Sequence, residues 1–120
     1  MGGIGMQNSS DHLYILWTNA DINTSLHMVL MYSTNAKIYG WWERVTVIIW
    51  GATAKLVTEN AEIREHLQLS QDKGVEFTAC KACAQLLGVA ADLKEQGIEV
   101  TYWGEGLTEL LKSGAHLITV

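Results

Sequence analysis

The sequence predicts an α/β protein: a three-layer α/β/α sandwich built on a mostly parallel five-stranded sheet. Three observations carry this. Five short runs rich in β-branched and aromatic residues are spread along the chain, segments with helical spacing separate them, and glycine closes most of those segments. Strand–helix alternation favours a parallel sheet with helices on both faces, because a right-handed crossover returns the chain to a parallel neighbour. At 120 residues, with 48% apolar and 18% charged side chains, the chain has the size and composition of one domain that closes its own core.

The elements follow in order. Leu13-Tyr14-Ile15-Leu16-Trp17 is a near-continuous apolar run, as expected of a strand buried on both faces. Thr18, Asn19 and Asp21 offer capping oxygens to a long helix over residues 22–39, closed by Gly40. A second buried strand over 45–50 ends at Gly51. After a loop with Thr53, residues 60–73 show helical spacing with Ile63 and Leu67 on one face, and Gly74 stops them. The third strand, 75–79, leads into a helix over 82–87 with Gly88 as its C-cap, then a short helix over 90–96. Strand four covers 98–103, Gly104-Glu105-Gly106 follows it, a short helix covers 108–112, and strand five covers 116–120. Residues 1–11 read as a flexible leader and residues 12–120 as a single domain.

Composition excludes several classes. The net charge of −5, with no Lys/Arg cluster, argues against a nucleic-acid partner. No apolar run reaches the roughly 20 residues of a membrane-spanning helix. The first ten residues lack the basic and apolar regions of a signal peptide. Two closely spaced cysteines without an export signal fit the reducing cytoplasm.

Both cysteines lie in Gly74-Val75-Glu76-Phe77-Thr78-Ala79-Cys80-Lys81-Ala82-Cys83. Cys80 falls at the carboxyl end of a strand and faces the first turn of a helix. Parallel α/β sheets bind their ligands at that edge, and the nearby N–H groups and Lys81 favour thiolate, the reactive form. Cys83 either faces Cys80 as a redox partner or packs beneath the helix. A thioredoxin-like fold does not fit, because it sets a cis-proline against its disulfide and this chain contains no proline. His12, His27, His66 and His116 are scattered and supply no second ligand pair beside Cys-x-x-Cys, so neither a metal nor a cofactor is expected.

The run Gly-Val-Glu-Phe-Thr-Ala-Cys80 resembles the DsrE/DsrF-like family of small sulfur-relay and sulfur-oxidation proteins. The tail Gly97-Ile98-Glu99-Val100-Thr101-Tyr102-Trp103-Gly104 with Leu107-Thr108-Glu109-Leu110-Leu111 is similar too, as is the opening strand with its long helix. The resemblance covers residues 12–120. It implies a flavodoxin-like architecture, a homotrimer or a hexamer of two trimers, and Cys80 as the residue that carries sulfur as a persulfide between a donor and an acceptor protein. Cys83 departs from the relay pattern, since a neighbouring thiol can discharge a persulfide.

The same edge holds Asn19, Gly51 and Thr53, which with Lys81 are the candidate binding residues. They would serve an alternative function, a small-ligand or regulatory module. Trp17, Trp50 and Trp103 end three strands and either wall a cleft around the thiol or plug the core. On the first helix, Ile22, Leu26, Val29, Leu30 and Ala36 form a stripe suited to the sheet. Met28, Met31, Tyr32 and Ile38 extend the apolar surface around the helix, which predicts cover from a second subunit.

Overall fold

The computed structural model describes residues 11–120; of the leader expected over 1–11, all but Asp11 lies outside the described residues. Strand β1 is His12–Trp17. Helix α1 follows in three consecutive pieces, Ile22–Thr24, a π-helical turn Ser25–Leu30, and Met31–Ile38. Then come β2 (Arg44–Ile49), α2 (Thr53–Glu59), α3 (Ala61–Asp72), β3 (Glu76–Cys80), α4 (Lys81–Leu87), α5 (Ala90–Glu95), β4 (Glu99–Thr101), α6 (Gly104–Ser113) and β5 (His116–Thr119). All strand pairs are parallel, in the order β4-β3-β2-β1-β5.

That order determines the layers. The chain steps in one direction from β1 to β4, and right-handed crossovers then keep α1 to α5 on a single face. The return from β4 to β5 runs to the far edge, so among the described residues α6 alone crosses the other face. The core lies under the five-helix layer. It joins Ile15, Trp17, Val45, Val47, Ile49, Phe77 and Ala79 of the sheet to Val29, Leu30, Ala54, Val57, Ile63, Leu67, Ala84 and Leu93 of the helices. Strand alternation sends His12, Tyr14, Arg44, Thr46, Glu76 and Thr78 to the opposite face. There α6 contributes no buried residue, and Tyr14 and Leu16 remain half-buried. The near-continuous apolar run of β1 is therefore fully enclosed on its helical face only.

Three local features differ from the sequence expectation. The segment holding Thr53 is a helix rather than a loop. β-branched Thr53, Val57 and Thr58 lower its intrinsic propensity, but Ala54 and Val57 are fully buried, and packing offsets propensity. Asn60 joins α2 to α3: its N–H donates to Leu56 O, and its side-chain oxygen accepts from Ile63 N at 2.9 Å. Helix α6 starts at Gly104, four residues before Thr108, because Leu107 N already donates to Trp103 O at 2.8 Å. A Cβ on Gly106 would stand 2.9 Å from the Trp103 ring, so glycine lets the indole lie against this first turn. In α1, Met31 N reaches back five residues to Leu26 O. The extra residue brings both Val29 and Leu30 to the core, and the Ser33 and Thr34 hydroxyls donate to Val29 O and Leu30 O, each at 2.6 Å.

Candidate functional site

Strand β3 pairs with β2 over residues 76–79 and with β4 over residues 78–80, where its last residue, Cys80, sits in register with Thr101. Cys80 has extended backbone angles and is the N-cap of α4, but its side chain makes no capping hydrogen bond. The chain thus changes from strand to helix at the thiol itself. Cys80 is 5% exposed, and Cys83, one turn on, is half-buried; neither is disulfide-bonded.

Cys83 faces Cys80. Burial pushes the Cys83 thiol up from its ordinary value, and the Cys80 thiol beside it adds to the rise, while the nearby Gly51 N–H opposes it. Gly51 turns the chain after β2 with a φ of +68°, a conformation that costs other residues strain. Cys80, Cys83 and Gly51 therefore come together at the carboxyl edge. Lys81 points elsewhere: its ammonium stands 5.1 Å from the centre of the Tyr102 ring, a cation–π contact beyond the end of β4.

The other residues of this edge have structural jobs. The Thr53 side chain is fully buried, and its hydroxyl lies 2.8 Å from Trp17 O, 3.0 Å from Trp50 O and 3.1 Å from Trp50 N. It ties the ends of β1 and β2 together and has nothing left for a ligand. Asn19 is exposed, and its side-chain oxygen accepts from Asp21 N at 2.9 Å, an Asx turn before α1. The tryptophans do not form one cleft. Trp17 is a core plug whose indole N–H donates to Asn19 O and Ser25 Oγ. Trp103 lies on the opposite face, donating to Thr78 Oγ1 at 2.9 Å, and Trp50 is half-buried.

Sequence reasoning missed a second region, at the amino ends of the strands. There a cavity of about 510 Å³ opens on the thinly covered face. Arg44 binds Glu76 with two hydrogen bonds, Nη2 to Oε1 at 2.7 Å and Nε to Oε2 at 3.0 Å. Thr46 Oγ1 donates to Glu76 Oε1 at 3.5 Å and lies 2.7 Å from His12 Nε2. The His12 ring stacks on Tyr14 with centroids 4.0 Å apart. Burial first, and Arg44 second, depress the His12 pKa. Hydrogen bonding from Arg44 holds Glu76 below the usual carboxylate range, and burial raises Tyr14. The signal available in the sequence was the alternation of His12 with Tyr14, Arg44 with Thr46 and Glu76 with Thr78. The apolar residues between them obscured it.

Among the described residues, no three His, Cys, Asp or Glu side chains converge as metal ligands. His66 Nδ1 donates to Glu62 O at 2.9 Å, and His116 packs on Trp42. No helix among the described residues is long and apolar enough to cross a membrane.

Comparison with known proteins places these features in a wider set. The family model described as DsrE/DsrF-like matches residues 12–120. No curated protein matches the chain. Among solved structures, a conserved protein of unknown function from Bacteroides thetaiotaomicron is 36% identical, with a TM-score of 0.89 over 92% of this chain and 95% of that one. A protein of unknown function from Methanobacterium thermoautotrophicum is 17% identical, with a TM-score of 0.70 over 92% of this chain and 99% of that one, a likeness of fold.

Proposed function

We propose that this chain, which belongs to the DsrE/DsrF-like family, is a sulfur carrier that holds sulfur as a persulfide on Cys80. The observation that carries the reading is the position of Cys80, at the strand-to-helix junction on the carboxyl edge of a parallel sheet. The Cys80 thiolate attacks the outer sulfur of a donor persulfide, forming Cys80–S–SH and releasing the donor as a thiol. An acceptor thiol then takes the terminal sulfur and returns Cys80 to its starting state. At 5% exposure the sulfur is shielded from bulk water, so a small persulfide, or a thiol presented on a protruding segment, suits the site. Such chemistry needs a reducing compartment such as the cytoplasm.

The ligand-binding alternative at the same edge is weaker, because the Thr53 hydroxyl and the Trp17 indole are both committed within the fold. We infer further that the chain works as a homo-oligomer, a trimer or a hexamer. Met31 is 50% and Trp41 54% exposed, and Met28, Ile38 and Tyr39 extend that apolar surface on and after α1. Incubation with a ³⁵S-labelled persulfide donor tests the carrier reading. Label should remain on the Cys83→Ser protein under non-reducing conditions and leave with an added thiol, and Cys80→Ser should take up none. Equal labelling of Cys80→Ser would overturn the reading.

A further inference from the structure

The second thiol has a use of its own. We infer that Cys83 discharges the loaded site, expelling the carried sulfur as hydrogen sulfide and leaving a Cys80–Cys83 disulfide; this rests on the carrier reading of Cys80. The geometry is that of an N-cap residue and the third residue of its helix. Helix dimensions put such Cα atoms about 5 Å apart, inside the roughly 4.4–6.8 Å that a disulfide spans. Both thiols are unbonded, and they lie close enough for Cys80 to perturb Cys83.

The step balances without an outside oxidant. The Cys83 sulfur attacks the inner sulfur of Cys80–S–SH. The Cys80–Cys83 S–S bond forms, the bond to the terminal sulfur breaks, and that sulfur leaves as HS⁻, taking up the proton given up by Cys83. The carried sulfur gains two electrons, and the two cysteine sulfurs supply them. A dithiol reductant then reopens the disulfide. Neutral Cys83 attacks poorly, so burial of this thiol gives an acceptor time to compete before the sulfur is lost. The pair thus sets a branch between transfer to a partner and release as sulfide.

The test treats wild-type protein and Cys83→Ser with a small hydropersulfide, followed by intact mass and a sulfide assay. Cys83→Ala and a thermal melt of each variant check that the fold is kept. Cys83→Ser should hold a gain of about 32 mass units, whereas wild type should lose about 2 and release about one sulfide per chain beyond that from the donor alone. Wild type that keeps the added sulfur as stably as Cys83→Ser, with no disulfide, would overturn the discharge role and leave the carrier reading standing. Failure of Cys83→Ser to gain sulfur, with wild type unchanged in mass, would overturn both.

Discussion

The two ends of the sheet differ in what their side chains leave unfinished. At the amino end, Arg44, Glu76, Thr46 and His12 satisfy one another across three strands. Among the described residues no buried side-chain nitrogen or oxygen lacks a partner. At the carboxyl end, Cys80 caps a helix without bonding to it, and the nearest reactive group is a second thiol. The amino end opens on a cavity of about 510 Å³ yet is closed in its hydrogen bonding, whereas the carboxyl end holds both thiols of the chain. A satisfied polar network and a reactive thiol pair therefore lie at opposite ends of the strands.

The largest expected contrast is in sulfur uptake. Cys80→Ser should abolish it, while Glu76→Gln, made at the other end, should leave its extent unchanged in the same donor assay. If Glu76→Gln removed uptake with the fold intact, the two ends would be coupled and the contrast would fail.

Next is Thr53, which stands beside the reactive edge without serving it. Thr53→Val keeps the shape but deprives Trp17 O and the Trp50 backbone of a partner. Denaturant unfolding should show a loss of about 1–3 kcal/mol, with sulfur uptake per folded chain unchanged. A stable variant with impaired uptake would return Thr53 to the site.

Assembly should be separable from both ends. Met31→Glu puts a charge into the apolar surface of α1, and subunit association measured by sedimentation should weaken on the order of tenfold or more. Unaltered association would move the contact elsewhere, and a monomeric wild type would remove it.

The smallest effect belongs to the amino-end network. The pKa values of His12 and Glu76 are both lower in the folded protein. The unfolded chain therefore binds more protons on acidification, and stability should begin to fall below the unfolded pKa of about 6.5 for His12, then below about 4.3 for Glu76, and go on falling through their lower folded values. The Arg44–Glu76 pair is substantially exposed, so its part should be about 1 kcal/mol or less. Thermal melts of His12→Gln and Glu76→Gln should show a flatter acid dependence than wild type; parallel curves would mean that these groups do not govern it.

What could be read from the sequence was local. Cys80 stands out because the strand before it and the helix after it are contiguous, and Gly88 ends that helix in the left-handed conformation its composition suggests. The layered fold was legible for the same reason. Helix α2 was not, because its stability comes from burying Ala54 and Val57 against residues distant in sequence. Nor was the amino-end network: Arg44 and Glu76 are 32 residues apart and meet only through the β2–β3 register. Thr53 was placed at the correct edge, but its hydroxyl's use could be seen only once β1 and β2 lay side by side. Edge position follows from element order, whereas the commitment of a polar group depends on strand order.

The most direct test of the central claim is peptide-level mass mapping of Cys83→Ser after exposure to a hydropersulfide, before and after addition of an acceptor thiol. The account predicts a gain of about 32 mass units confined to the peptide holding Cys80, lost when the acceptor arrives and the sulfur moves to it. Sulfur found on other residues, or on Cys80 but not removable by the acceptor, would contradict it.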